Sequence, residues 1–309
     1  MQKKTKDKIS VAFLGNSLPM LIFAYIYKKK NNCNVTVLDE SGMVGGAWRQ
    51  FKYKNIYLRK QSNIILPVSK RQEKNQKKMN FFLEKYLNVK IKRTNKLVDV
   101  HYFYKNKFYF NFNYFFKIIY KLKLLKKIKV KKIKILKNNK ILVNNEYTFN
   151  KIFIPTYFGI NKIYDLNKIF KIDFKIIKSE HVVALVNKTK FSNLFYSDFF
   201  NNFFDRVEIS KHSKFYCFSG RITKENKGSD RNLIKEQIKK ITKDNTIIKF
   251  YKFTFKNYFR DKDQIKKLKK LKKIKNLEYV DTTNFMQFME QMFLYFKYKS
   301  IKSKLILSK

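Results

Sequence analysis

Residues 9–49, ISVAFLGNSLPMLIFAYIYKKKNNCNVTVLDESGMVGGAWR, decide how the rest of the chain is read. Ile9 to Leu14 is a short apolar run containing β-branched residues. Gly15 closes it, at the point where a chain turning sharply into a helix needs a residue without a Cβ. Leu18 to Lys29 reads as a mostly apolar helix, and Val35 to Leu38 as a second buried strand ended by Asp39. Strand, turn, helix and strand make a βαβ half-unit. The first helix of such a unit presents unpaired amides and a positive dipole end to a pyrophosphate, and the acid closing the second strand faces a ribose.

Asp39 lies 24 positions after Gly15, close to the spacing of a ribose-binding acid. After it the chain runs through ESGMV into Gly45-Gly46-Ala47-Trp48-Arg49. This arrangement resembles the N-terminal fingerprint of FAD-binding oxidoreductases of the glutathione-reductase-like superfamily, in particular the amine-oxidase and UDP-galactopyranose-mutase branch. In the GxGxxG pattern Gly15 holds the first place, while Ser17 stands at the second and Met20 at the third. The second glycine lets backbone approach a pyrophosphate and the third lets the helix pack close to the strand, so both departures bear on cofactor binding.

The resemblance implies an α/β fold, an FAD/NAD(P)-binding Rossmann-like domain with an inserted β-rich substrate domain. It implies FAD as cofactor, held by Gly15, Ser17, Asp39, Glu40, Gly45, Gly46, Ala47 and Trp48. In such proteins the chain after the Gly-Gly pair passes along the flavin, which places Arg49, Arg59, Gln61, Ser62 and Asn63 nearest the ring system and makes Arg49 and Arg59 candidate substrate contacts. Arg206, within FDRVEI, and Arg221 are the further candidates for an anionic substrate. An ordinary βαβ unit with a glycine turn and no nucleotide is the alternative that the partial motif leaves open.

The chain has 309 residues with 44% hydrophobic side chains, and it contains 32 Phe and 20 Tyr. It can bury a large core and is no disordered polycation. The net charge is +49, yet only eight of the 71 basic residues are arginine. Lys, Asn, Ile, Phe and Tyr share A/T-rich codons, so genome composition accounts for the charge; a surface selected for phosphate would favour the bidentate arginine fork. Nucleic-acid binding is therefore expected to be non-specific and salt-dependent. Two cysteines, Cys33 and Cys217, exclude a disulfide framework and point to a reducing, cytoplasmic setting. The polar start MQKKTKDK lacks a signal peptide's apolar region, and no uncharged run approaches the ~20 residues of a membrane span.

Downstream, Asn63 to Pro67 reads as a short strand and Glu73 to Tyr86 as a lysine-rich surface helix. Leu97 to Tyr104 and Phe108 to Phe112 flank a polar break as a hairpin. Tyr114 to Leu125 has helical length. Lys131 to Leu136 and Ile141 to Val143 flank the turn residues Asn138-Asn139, and Lys151 to Ile154 ends at Pro155-Thr156. In the resembled families a hairpin, a buried strand and a Thr/Pro loop return the chain to the nucleotide domain. Strands follow at 180–186, 203–209, 214–219 and 246–255, with a helix over 229–242. IKKLKKLKKIK, within Asp261 to Ile274, fits either a packed helix or a basic amphipathic surface. LEYVDTTNFMQFMEQMF closes the chain as strand, cap and Met/Phe-rich helix.

No GxxxxGK[ST] loop, HExxH, paired CxxC or GxSxG is present, and His101, His181 and His212 lack ligand spacing, so no metal site is expected. The expected nucleotide domain comprises 8–70, 128–160 and 275–309, and the substrate domain 71–127 and 161–274. The leading expectation is an FAD-dependent oxidoreductase or flavin-using isomerase with a small-molecule substrate. A cofactor-free binding or assembly relative of the fold is the second reading, and a basic nucleic-acid-binding protein the third.

Overall fold

The computed structural model describes residues 8–60, 64–65, 80–81, 83–94, 107–165, 168–191, 194–198, 200–243, 246–271, 274–282, 288–289 and 292. The chain divides into two compact units, one of residues 1–46, 114–176 and 258–309, the other of 47–113 and 177–257. The boundaries differ from those expected. Residues 47–70 belong with the second unit, whereas 114–127, 161–176 and 258–274 belong with the first.

Elements are numbered along the chain. In the first unit β1 (Ser10–Leu14), β2 (Asn34–Asp39), β8 (Leu125–Lys127), β12 (Lys151–Pro155) and β20 (Leu277–Val280) form a sheet of order β20-β12-β1-β2-β8. Every pairing in it is parallel. Alternation along β1 explains the layers, because successive side chains point to opposite faces. Phe13 stacks on Phe153 with ring centroids 4.5 Å apart and meets Phe23 of α1 (Leu18–Lys30) edge to face at 5.3 Å. Ala12 and Leu14 belong instead to a cluster with Ile133, Ile135, Ile141 and Val143. Those residues come from a meander of β9 (Ile133–Ile135), β10 (Ile141–Val143) and β11 (Tyr147–Phe149), extended by β13 (Lys162–Asp165) and β14 (Lys168–Lys171) in the order β11-β10-β9-β13-β14.

α1 is buried from Leu18 through Ile26 without a polar face, as a helix covered on all sides must be, and Lys28, Lys29 and Lys30 meet its negative dipole end. One expectation is corrected nearby. The helix expected to reach Leu125 is α2 (Asn113–Lys121), and Lys123 follows it with φ +49°. Leu125–Lys127 then turns into a parallel edge strand, Val37 facing Leu125 in the ladder. The lysine-rich segment is α4 (Lys262–Lys270), capped by Asp261 Oδ1, which accepts from the Gln264 amide at 2.8 Å. Leu268, Leu271 and Ile274 are buried in the core with Tyr279, so this is a packed helix.

In the second unit β15 (Lys175–Val186), β16 (Leu194–Asp198), β17 (Phe204–Lys211), β18 (Tyr216–Ile222) and β19 (Ile247–Phe259) form a sheet of order β16-β17-β18-β15-β19. Ile234, Ile238 and Ile241 of α3 (Arg231–Thr242) pack against Val182, Ala184 and Phe218 on one face. Leu58, from the hairpin of β3 (Gln50–Tyr53) and β4 (Ile56–Arg59), packs against Val183, Leu185 and Cys217 on the other. β5 (Ile64–Ile65), β6 (Lys90–Thr94) and β7 (Lys107–Asn111) form a smaller sheet with β7 in the centre. The described residues 83–87 are helical. Gln61, Ser62, Asn63, the run Leu97–Tyr104 with His101, and most of the closing helix lie outside the described residues.

Candidate nucleotide-binding site

Numbered by their order along the chain, the five parallel strands of the first unit lie fifth, fourth, first, second, third. The order reverses between β1 and β12, and in open α/β sheets ligands bind outside the carboxyl ends of the strands at such a reversal. Gly15-Asn16-Ser17 follows β1 there, and Thr156 follows β12.

Gly15 has φ +85° and its amide donates to the Leu38 carbonyl at 2.8 Å. A Cβ on it would stand 3.2 Å from the ring of Phe158, so the turn needs glycine for conformation and for space. Ser17 caps α1 through its carbonyl, which accepts from the Leu21 amide at 3.0 Å, but its side chain makes no capping bond. The amides of that first turn have no side-chain acceptor from the cap, a condition under which a helix start can receive an anion. Met20, at the third glycine's place, is fully buried in the core.

Asp39 organises the loop. Its Oδ1 accepts from the Ser41 amide at 2.9 Å and from the Ser41 hydroxyl, and its Oδ2 accepts from the Asn16 amide at 3.3 Å. The Asn16 side-chain amide donates to Ser41 Oγ at 2.9 Å and to the Met43 carbonyl. Oδ1 is thus filled, while Oδ2 keeps an acceptor direction for a further donor. Gly45 and Gly46 have φ +93° and +50°. A Cβ at Gly45 would come 2.7 Å from the Phe116 ring of α2, and one at Gly46 would come 3.3 Å from Asn16 Oδ1. Glu40, also expected to contact a cofactor, is exposed and accepts from the Tyr258 hydroxyl at 3.4 Å.

A polar cluster lies where β12 and β20 end. The buried Thr156 hydroxyl meets Tyr279 Oη at 2.7 Å and Asp281 Oδ1 at 3.3 Å, and accepts from the Thr282 amide at 3.0 Å. Arg260 is 2% exposed and donates to the carbonyls of Thr156, Phe158 and Ile160. Desolvation pulls its pKa down to about 10. Asn16, Ser41 and Arg260 escaped the sequence reading. The Asp-Glu-Ser order was a usable signal for the first pair, since an aspartate readily bonds the amide two residues on.

Thus the structure brings Gly15, Ser17, Asp39, Glu40, Gly45 and Gly46 into the first unit. Ala47, Trp48, Arg49, Arg59, Arg206 and Arg221 belong to the second. There Trp48 meets Phe112 edge to face at 5.6 Å. Arg59 pairs with Glu208 at 2.5 Å and Arg221 with Asp205 at 2.6 Å. Arg206 and Arg221 are direct partners across β17 and β18. Among the described residues no group of three acids, histidines or cysteines could hold a metal, and no helix is long and apolar enough to cross a membrane.

No family model matches the chain, and no curated protein matches it in sequence. Solved structures do match in shape. Cyclohexylamine oxidase from Brevibacterium oxydans IH-35A superimposes with a TM-score of 0.65 at 7% identity, over 93% of this chain and 96% of that one. The chain has the fold of an amine oxidase. Putrescine oxidase bound to putrescine gives 0.62 at 7% identity, over 94% and 99%. A fatty acid isomerase from P. acnes gives 0.55 at 9% identity, over 94% and 99%. The shared architecture is a Rossmann-like parallel sheet with mixed α/β layers, and at these identities it speaks for the fold alone.

Proposed function

We propose that this protein is an FAD-dependent oxidoreductase of the amine-oxidase type, with a small organic molecule as substrate. The observation that carries the reading is Asp39, at the end of the second parallel strand, with one carboxylate oxygen still able to accept from a ribose hydroxyl. The uncapped start of α1 fits a pyrophosphate, and the positive φ of Gly45 and Gly46 lets backbone pass where a side chain would collide. FAD, when bound, supplies the acceptor for the substrate's hydride. The chain's own contribution is to orient the nucleotide through Asp39 and the α1 amides. The β-rich second unit is the proposed substrate domain; of its four candidate arginines, Arg59 is held by Glu208, and Arg49, Arg206 and Arg221, the last paired with Asp205, are left to meet an anionic group.

A cofactor-free relative of the fold is the competing reading, favoured by the side chain of Ser17 where a glycine would admit the pyrophosphate. The absorption spectrum of purified protein distinguishes the two. Flavin bands that survive removal of free cofactor are expected. A colourless protein whose melting temperature does not respond to added FAD overturns the proposal.

A further inference from the structure

Between the β3–β4 hairpin and the main sheet of the second unit lies a partly open cavity of about 20 Å³ whose walls mix apolar and polar groups. The sheet register builds it. Glu208 faces Ser219 and Ser210 faces Cys217 across β17 and β18, and residues two apart on a strand share a face. Arg59 closes the cavity from β4, its Nη1 bonded to Glu208 Oε1 at 2.5 Å. The Glu208 side chain is only 4% exposed, and its other oxygen, Oε2, is buried with no hydrogen-bond partner among the described residues. Ser210 Oγ lies 3.5 Å from His212 Nε2 at the cavity wall.

We propose that this cavity is a binding site for one neutral hydroxyl-type donor of water's size, which donates to Glu208 Oε2 and accepts from Ser210 or Ser219. A water needs roughly 10–15 Å³ of such space and two to four polar partners, and the cavity supplies both. Charge decides the class of ligand. Arg59 already balances Glu208, so a cation would add an uncompensated charge to a buried site, and an anion would face the carboxylate. Burial pushes the Cys217 thiol up to about 12, so it stays neutral and brings no further charge. The bound group completes the hydrogen bonding of Glu208 and so holds the ion pair that joins β4 to β17. Solvent water and the hydroxyl end of a small alcohol share this chemistry.

The test is oxygen-17 relaxation dispersion on the full chain, in wild type and in Ser219→Val, which fills the cavity with methyl groups. Wild type is expected to hold one more long-lived water than the variant. Added methanol that leaves this signal unchanged identifies solvent water as the occupant. Methanol that abolishes it, with saturable shifts of the Ser219 and Cys217 amides, identifies an alcohol hydroxyl. Identical dispersion in both proteins with no saturable methanol shift overturns the proposal. If Ser219→Val does not fold, a crystal structure of the unmodified protein decides: an ordered oxygen within hydrogen-bonding distance of Glu208 Oε2 supports the site, and a dry cavity overturns it.

Discussion

The backbone amide of Asn16 donates to Asp39 Oδ2 at 3.3 Å, which ties the turn after the first strand to the end of the second. The carboxylate expected to wait for a ribose is therefore also part of the loop's framework. Asp39→Ala removes the acceptor for the Ser41 amide, the Ser41 hydroxyl and the Asn16 amide together. The expected cost is about 1–3 kcal/mol of stability without cofactor, and a roughly tenfold or greater loss of FAD affinity. Urea unfolding and fluorescence titration measure the two separately. Unchanged stability would contradict the loop role, and unchanged affinity the ribose role. Ser17→Gly is expected to tighten FAD binding by opening the approach to the pyrophosphate.

Gly45 sits against α2. Alanine there adds the strain of φ +93° to a Cβ placed 2.7 Å from the Phe116 ring. The expected destabilisation is about 2–4 kcal/mol, the sum of left-handed strain and overpacking. Gly228 has φ +92° with nothing within 4 Å of where a Cβ would stand, so Gly228→Ala should cost only about 1–2 kcal/mol. Denaturation midpoints of the two variants compare them directly, and equal losses would mean that the Phe116 contact contributes nothing.

His181 is 5% exposed, faces Arg221 across the ladder and meets Phe255 edge to face at 4.9 Å. Desolvation first, then the charges of Arg221 and Arg206, lower its pKa to about 3. An unfolded histidine titrates near 6.5, so the folded state favours the neutral ring. That stabilisation is complete above about pH 6.5 and is lost as pH falls towards 3, by about 2 kcal/mol between pH 7 and pH 5. His181→Gln should flatten this part of the stability profile, and a profile identical to wild type would show that His181 does not carry it.

Leu268 of α4 is fully buried, whereas Lys266 on the same helix is 74% exposed and pairs with the exposed Asp263. Leu268→Ala should cost about 2–5 kcal/mol, and Lys266→Gln should stay within about 0.5 kcal/mol. If this helix served as a membrane-surface anchor, the lysine change would instead weaken binding to anionic vesicles with little effect on folding.

Local chemistry made the first half of the first unit legible. Gly15 marked the turn because only a residue without a Cβ suits φ +85° beside Phe158, and the apolar runs around it marked β1, α1 and β2 because strand and buried-helix patterns are written in neighbouring residues. Asp261 and Asp230 cap the starts of α4 and α3 through chemistry of the same short range, each bonding amides two or three residues away. The third parallel strand was not legible. Leu125-Lys126-Lys127 carries no strand pattern of its own and becomes one because β2 offers it a ladder. Arg260 gave no local signal either, since the carbonyls it holds lie a hundred or more residues earlier at Thr156, Phe158 and Ile160. The fate of Arg59 was likewise beyond the sequence, because Glu208 lies 149 positions away and reaches it only when the β3–β4 hairpin lies on the sheet. Propensity, caps and turns act within a few residues, so the chain states them openly; which charge meets which partner depends on packing that brings distant strands together, and only the folded protein decides it.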